Sequence, residues 1–132
     1  MKKLDMYRCE KCNNLVEVIL PGSGELICCE VPMTKVIPKN QEDAMLEKHV
    51  PIFIKESDKN IEIRVGEILH PMEKEHHIMF IEAMAKDKSY SELKYLKPGE
   101  QPKMLLNTNI KDLVAREFCN IHGLWEGQNN IK

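Results

Sequence analysis

The sequence predicts an all-β protein, with a small metal-stapled module over residues 1–37 and a β-sandwich over residues 38–132. Three observations predict it. Beyond about residue 40 apolar and polar residues alternate, which is the period of a half-buried strand. Turn-forming clusters separate these runs at short intervals. Four of the five cysteines lie in the first 29 residues, a stretch too short to bury a core of its own.

In chain order, Leu15-Val16-Glu17-Val18-Ile19-Leu20 reads as a strand, Pro21-Gly22-Ser23-Gly24 as a turn, and Leu26-Ile27 as a second apolar stretch. The unit ends near Val36-Ile37-Pro38. A segment of fewer than about 40 residues needs a staple, and a bound metal supplies one because its binding free energy becomes folding free energy. A short helical turn is expected over Gln41–Leu46. Pro51-Ile52-Phe53-Ile54-Lys55 and the alternating Ile61, Ile63 and Val65 form two strands about the turn Ser57-Asp58-Lys59-Asn60. Further strands are expected at Ile78–Glu82, Leu93–Leu96, Lys103–Leu106 and Leu113–Phe118, with a turn at Lys97-Pro98-Gly99-Glu100. Six or seven short strands at this spacing indicate a sandwich.

Composition narrows the function. Nineteen basic against 21 acidic side chains give a net charge of −2, so no basic field for nucleic acid is present. No apolar run reaches the roughly 18–20 residues of a membrane span. The start, Met1-Lys2-Lys3-Leu4-Asp5, does not read as a secretory signal. A cytoplasmic protein without nucleic-acid or membrane partners is expected, and in a reducing compartment metal ligation outranks disulfides.

All five histidines (49, 70, 76, 77 and 122) follow the cysteine cluster, so two separate sites are expected. Cys9 and Cys12 form a C-x2-C pair, and Cys28 and Cys29 are adjacent. Four soft thiolates suit a tetrahedral metal, and spacing does not separate iron from zinc. The vicinal pair departs from a second C-x2-C and should distort the tetrahedron. The histidines fall in three segments that flank expected strands, one of which pairs Cys119 with His122. Blue copper uses two histidines, one Cys and an axial Met, and no Met follows His122. Catalytic zinc takes three protein ligands and water. Four imidazoles and one thiolate leave one position open, a geometry for redox iron.

These residues together resemble the two-iron superoxide reductases of the desulfoferrodoxin type over nearly the whole chain. The resemblance rests on Tyr7-Arg8-Cys9 through Cys28-Cys29, Glu47-Lys48-His49-Val50-Pro51, His70-Pro71-Met72 with His76, Lys97-Pro98-Gly99-Glu100, and Cys119-Asn120-Ile121-His122-Gly123-Leu124-Trp125. It implies a desulforedoxin-like module with a tetrathiolate iron on Cys9, Cys12, Cys28 and Cys29, and an immunoglobulin-like sandwich with a second, catalytic iron. That iron would take His49, His70, His76 and His122 as equatorial ligands and Cys119 as axial thiolate, with His77 outside the ligand set. The implied reaction is one-electron reduction of superoxide to hydrogen peroxide, with electrons from rubredoxin or a similar small donor, in a homodimer. Lys48 would attract the anion, and Glu47 would supply a carboxylate to the sixth position in the ferric state. Backbone N–H groups near Asn120 and Ile121 would tune the sulfur. Trp125 and Phe118 are expected to pack beneath the site, and Met72 to pack the loop that aims His70. A non-catalytic iron electron carrier, and a zinc-ribbon interaction module fused to a sandwich, are the competing readings.

Overall fold

The computed structural model describes residues 1–41, 48–66, 70–129 and 131. The helical turn expected over Gln41–Leu46 therefore lies outside the described residues from position 42 onward, as does Glu47. The chain divides into two compact units, Met1–Ile37 and Pro38–Lys132.

In the first unit β1 (Met6–Arg8) is the centre of a three-stranded antiparallel sheet, between β2 (Leu15–Glu17) and β5 (Thr34–Val36). A two-residue ladder joins β3 (Ile27–Cys28) to β4 (Val31–Pro32). β2 stops three residues before the expected end. Its last ladder partner is Met6, and beyond it Val18 still accepts from Leu4 N at 2.6 Å and donates to Asp5 O at 2.9 Å, with Leu4 at φ 68° ending the regular strand. Ile19 and Leu20 are exposed in the turn that follows. Leu4, Met6, Cys9 and Val18 are the buried apolar residues here, a core too small to hold the unit without its cysteines.

The second unit is a sandwich. One sheet has the order β10 (Lys103–Asn107), β7 (Asn60–Val65), β6 (Pro51–Lys55). The other runs β12 (Gly123–Gln128), β11 (Leu113–Cys119), β8 (Ile78–Ala85), β9 (Ser91–Tyr95), and every pairing is antiparallel. Phe53, Ile61, Ile63, Val65, Met104 and Leu106 of the first sheet meet Ile78, Ile81, Ala83, Leu113, Ala115 and Cys119 of the second in one core. β8 runs three residues past its expected end because Ala83, Met84 and Ala85 pair with Ala115, Val114 and Leu113. β12 was not expected from the sequence. Gly127 lets it approach β6, since a Cβ there would stand 2.1 Å from the Pro51 carbonyl oxygen.

This architecture carries a buried ion pair on the opposite sheet face. Arg116 of β11 donates to Glu82, directly opposite on β8, and Ser91 adds a hydroxyl bond to the same carboxylate at 3.2 Å. Phe118 stacks on Phe80 nearby, at 5.8 Å.

Candidate metal centres

The first site is built by two turns. Cys9 closes a loop in which its N–H bonds Asn14 O at 2.9 Å and its carbonyl accepts from Asn13 N at 2.9 Å, with Asn13 at φ 67°. This knuckle brings Cys12 back toward Cys9. At the other turn Cys28 is extended in β3, whereas Cys29 takes a left-handed φ of 52°. That backbone reversal is how two adjacent residues present both sulfurs to one point, which the sequence alone does not convey. Cys12 and Cys28 Sγ lie 3.5 Å apart, and Cys28 and Cys29 Sγ 4.0 Å apart. Metal–sulfur bonds of about 2.3 Å set a tetrahedral edge near 3.8 Å, so the separations fit a tetrathiolate metal.

Without metal these thiols differ widely. The Cys9 thiol is held down to about 6, chiefly by the backbone N–H of Cys12, against the effect of burial. Cys28 is raised, first by hydrogen bonding with Cys12 and then with Cys9. The same two thiols push Cys29 up to about 12. Cys9 is ready as thiolate at neutral pH, whereas Cys28 and Cys29 must each lose a proton to bind.

The second site sits at one end of the sandwich, where His49 precedes β6, His70 follows β7, His76 precedes β8, and Cys119 and His122 flank the β11–β12 turn. Gly123, at φ 82°, provides the left-handed step that starts β12. One donor atom from each of these five residues lies within 4.8 Å of the others. His77 is not among them. The four imidazoles form a closed cycle of edge-on contacts: His49 to His70 at 4.6 Å, His70 to His76 at 4.7 Å, His76 to His122 at 5.1 Å, and His122 to His49 at 4.7 Å. His49 Nε2 faces His122 Nδ1 at 2.9 Å, and Cys119 Sγ stands 3.8 Å from that same Nδ1. Imidazole bonds of roughly 2.0–2.1 Å at right angles place neighbouring donors about 3 Å apart, so the rings fit one metal. His49, His70 and Cys119 are buried, and His76 and His122 are half-buried.

Hydrogen bonds outside the donor set fix the rings. His70 Nδ1 lies 2.8 Å from Pro71 O, so Nδ1 carries the proton and Nε2 is turned to the centre. The His76 backbone is bridged to Glu73 in both directions, at 3.0 and 3.1 Å. The Met72 sulfur accepts from Ile78 N at 3.4 Å, and Gly99 of the Lys97–Glu100 turn donates to Met72 O at 2.7 Å, which holds the loop between His70 and His76. Trp125 packs against His49 at 4.6 Å and donates Nε1–H to His122 O at 3.2 Å. Sequence reasoning missed Lys39. Its backbone is bridged to Trp125, its ammonium bonds His122 O at 3.1 Å, and the same group lies 5.1 Å over the Trp125 ring. Its separation of 83 residues from His122 left no local signal. The Asn120 N–H, expected near the sulfur, donates to His77 O at 3.2 Å. Phe118 likewise packs against Phe80 on the far face and not beneath the metal site. Lys48, next to His49, is half-buried.

Residues 41–128 match the family model described as Desulfoferrodoxin, and residues 1–36 match Desulfoferrodoxin, N-terminal domain. The chain belongs to the desulfoferrodoxin family. It is 44% identical over 128 residues to the desulfoferrodoxin of Desulfarculus baarsii, covering 97% of this chain and 98% of that one. It is 37% identical over 102 residues to a superoxide reductase of Pyrococcus abyssi, covering 65% of this chain and 89% of the relative. The fold is shared with the crystal structure of the superoxide reductase from Treponema pallidum, at a TM-score of 0.72 and 21% identity, over 96% of this chain and 99% of that chain.

Proposed function

We infer that the protein is a superoxide reductase, which takes superoxide, one electron and two protons to hydrogen peroxide. The observation that carries this is the closed cycle of four imidazoles with a single thiolate beside it: five donors around one point, which suits an iron with one open position. Iron held there by His49, His70, His76, His122 and Cys119 would supply the electron that reduces the anion. The protein's own residues do the rest. Cys119, buried at the end of β11, would place negative sulfur against the metal and favour electron release. The His70–Pro71 bond and the two donors on His122 O keep the rings in place, so little reorganises during turnover.

Lys48 is assigned the electrostatic role. A chain of net charge −2 repels superoxide at long range, so a local cation beside His49 must offset that repulsion. Glu47, its neighbour in sequence, is assigned as a carboxylate that would serve as a further ligand to the oxidised iron. Residues 1–37 are assigned as the tetrathiolate iron module and 38–132 as the catalytic sandwich, with rubredoxin or a similar small protein as donor. A homodimer working in the cytoplasm accords with the family resemblance and with five free cysteines, four of them gathered at one site.

The test is a single turnover. Reduced, iron-loaded protein mixed with a pulse of superoxide should oxidise at the second centre at a near diffusion-limited rate. His76→Ala should abolish that phase and leave the tetrathiolate spectrum intact. Equal rates in the two proteins would refute the assignment.

A further inference from the structure

We propose that Asn120 is a positioning residue that locks ligand His76 to ligand Cys119; this rests on the reading that the second site holds iron. Asn120 directly follows Cys119. Its Oδ1 accepts from His77 N at 2.9 Å, its Nδ2 donates to Glu75 O at 2.9 Å, and its own N–H donates to His77 O at 3.2 Å. The three bonds fall on the residues immediately before and after His76, so they bracket the ligand without touching it.

The sheet makes such a clamp necessary. β11 and β8 pair in regular register from Leu113 to Phe118, and then the register shifts between Phe118 and Cys119, leaving Cys119 opposite Ile78. Cys119 forms the last pair of this ladder and His76 lies two residues beyond its partner Ile78, so no ladder pair fixes the separation of the two ligands. A side-chain amide carries a donor and an acceptor on one planar group, as a peptide does. Asn120 uses both, and thereby continues the interstrand pairing past the bulge. Glu73 grips the His76 backbone itself, and Asn120 ties the residues on either side to the strand that carries the thiolate. The thiolate donor and one imidazole donor are thus held as a unit across 43 residues of sequence. Asn120 is exposed, and its side chain adds no core packing.

The test is chelator-driven iron release from the fully loaded protein, followed separately at the two centres by their visible bands. Asn120→Ala should speed loss from the second centre by about 10–100-fold, the usual effect of removing a partner that orients a metal ligand, and leave the tetrathiolate centre within about twofold. Asn120→Asp keeps the acceptor for His77 N–H but sets a carboxylate against Glu75 O, and should also release iron faster. It serves as the test if the alanine variant does not fold. Asn129 makes a comparable clamp at the far end of the sandwich, donating to Lys111 O and accepting from Ile131 N, both at 2.9 Å. Asn129→Ala should leave second-centre release unchanged. Release from Asn120→Ala at the wild-type rate would overturn the proposal, as would equal acceleration in Asn129→Ala. Wild-type protein that holds two irons and releases them as described but fails to reduce superoxide would overturn the functional reading and leave the clamp standing. Wild-type protein that never loads the second centre would overturn both.

Discussion

Gly127→Ala tests how the sandwich aims a ligand. The added Cβ would lie 2.1 Å from the Pro51 carbonyl oxygen and 3.2 Å from Val50 Cγ1, against a floor of 3.0 Å for real Cβ contacts. The obstacle at 2.1 Å is backbone, so no rotamer change relieves it, and β12 and β6 must part by about 0.9 Å. Overpacking of this kind costs roughly 1–3 kcal/mol. His49 stands only two residues before Pro51, and Trp125, which packs on it, is two residues before Gly127, so the displacement reaches the ring cycle from both sides. A misplacement near 1 Å at a reacting centre lowers rates about 100-fold. The assay is urea unfolding together with single-turnover oxidation by superoxide. The expected result is a lower midpoint with unchanged slope, and a second-centre rate that falls far more than the tetrathiolate spectrum changes. A variant that matches wild type in both midpoint and rate would refute the claim that this contact positions His49.

Four further predictions follow from the same geometry. Arg116→Met leaves the Glu82 carboxylate, which is fully buried, without its guanidinium and should destabilise the fold by about 3–5 kcal/mol; adding Glu82→Met should recover most of that, and a double-mutant cycle with no coupling would contradict it. Lys48→Ala should slow the second-order reaction with superoxide and flatten its dependence on ionic strength with the iron spectrum nearly unchanged; an unaltered rate at low salt would remove Lys48 from the mechanism. Glu47→Ala should still react rapidly but lose a slow transition of the oxidised centre, and survival of that transition would contradict the carboxylate's role. Cys28 lies above its usual range and Cys29 near 12, so both thiols stay protonated around neutral pH and both protons leave as metal binds. Affinity of the four-cysteine site should therefore rise with pH, by at least about 100-fold per unit. Cys9, held down to about 6, adds little across that window. A slope of about tenfold or less, read by competition with a chelator, would contradict this.

Much of the fold was legible because the strands alternate. Ile61, Ile63 and Val65 announce β7, and Pro51–Lys55 is β6 as the sequence suggests. The failures have physical causes. β8 ends in Ala83-Met84-Ala85, residues of low strand propensity that pair because both sheet faces are buried there. β12 contains Gly123 and Gly127, which read as breakers until the turn and the close approach to Pro51 explain them. The ligand groups were legible because histidines and cysteines in short local motifs are rare. The network behind them was not. Lys39 and Asn120 reach their partners across 83 and 43 residues, and an exposed lysine or asparagine carries no mark of such a bond until the strands bring it there.

The central claim is tested most directly by the products. Iron-loaded protein kept reduced by a small electron donor, and given a known amount of superoxide, should yield one hydrogen peroxide for each superoxide consumed and no dioxygen. Peroxide at half that amount with matching dioxygen would make the protein a dismutase, and no peroxide above the spontaneous background would leave the five-donor centre without the assigned reaction.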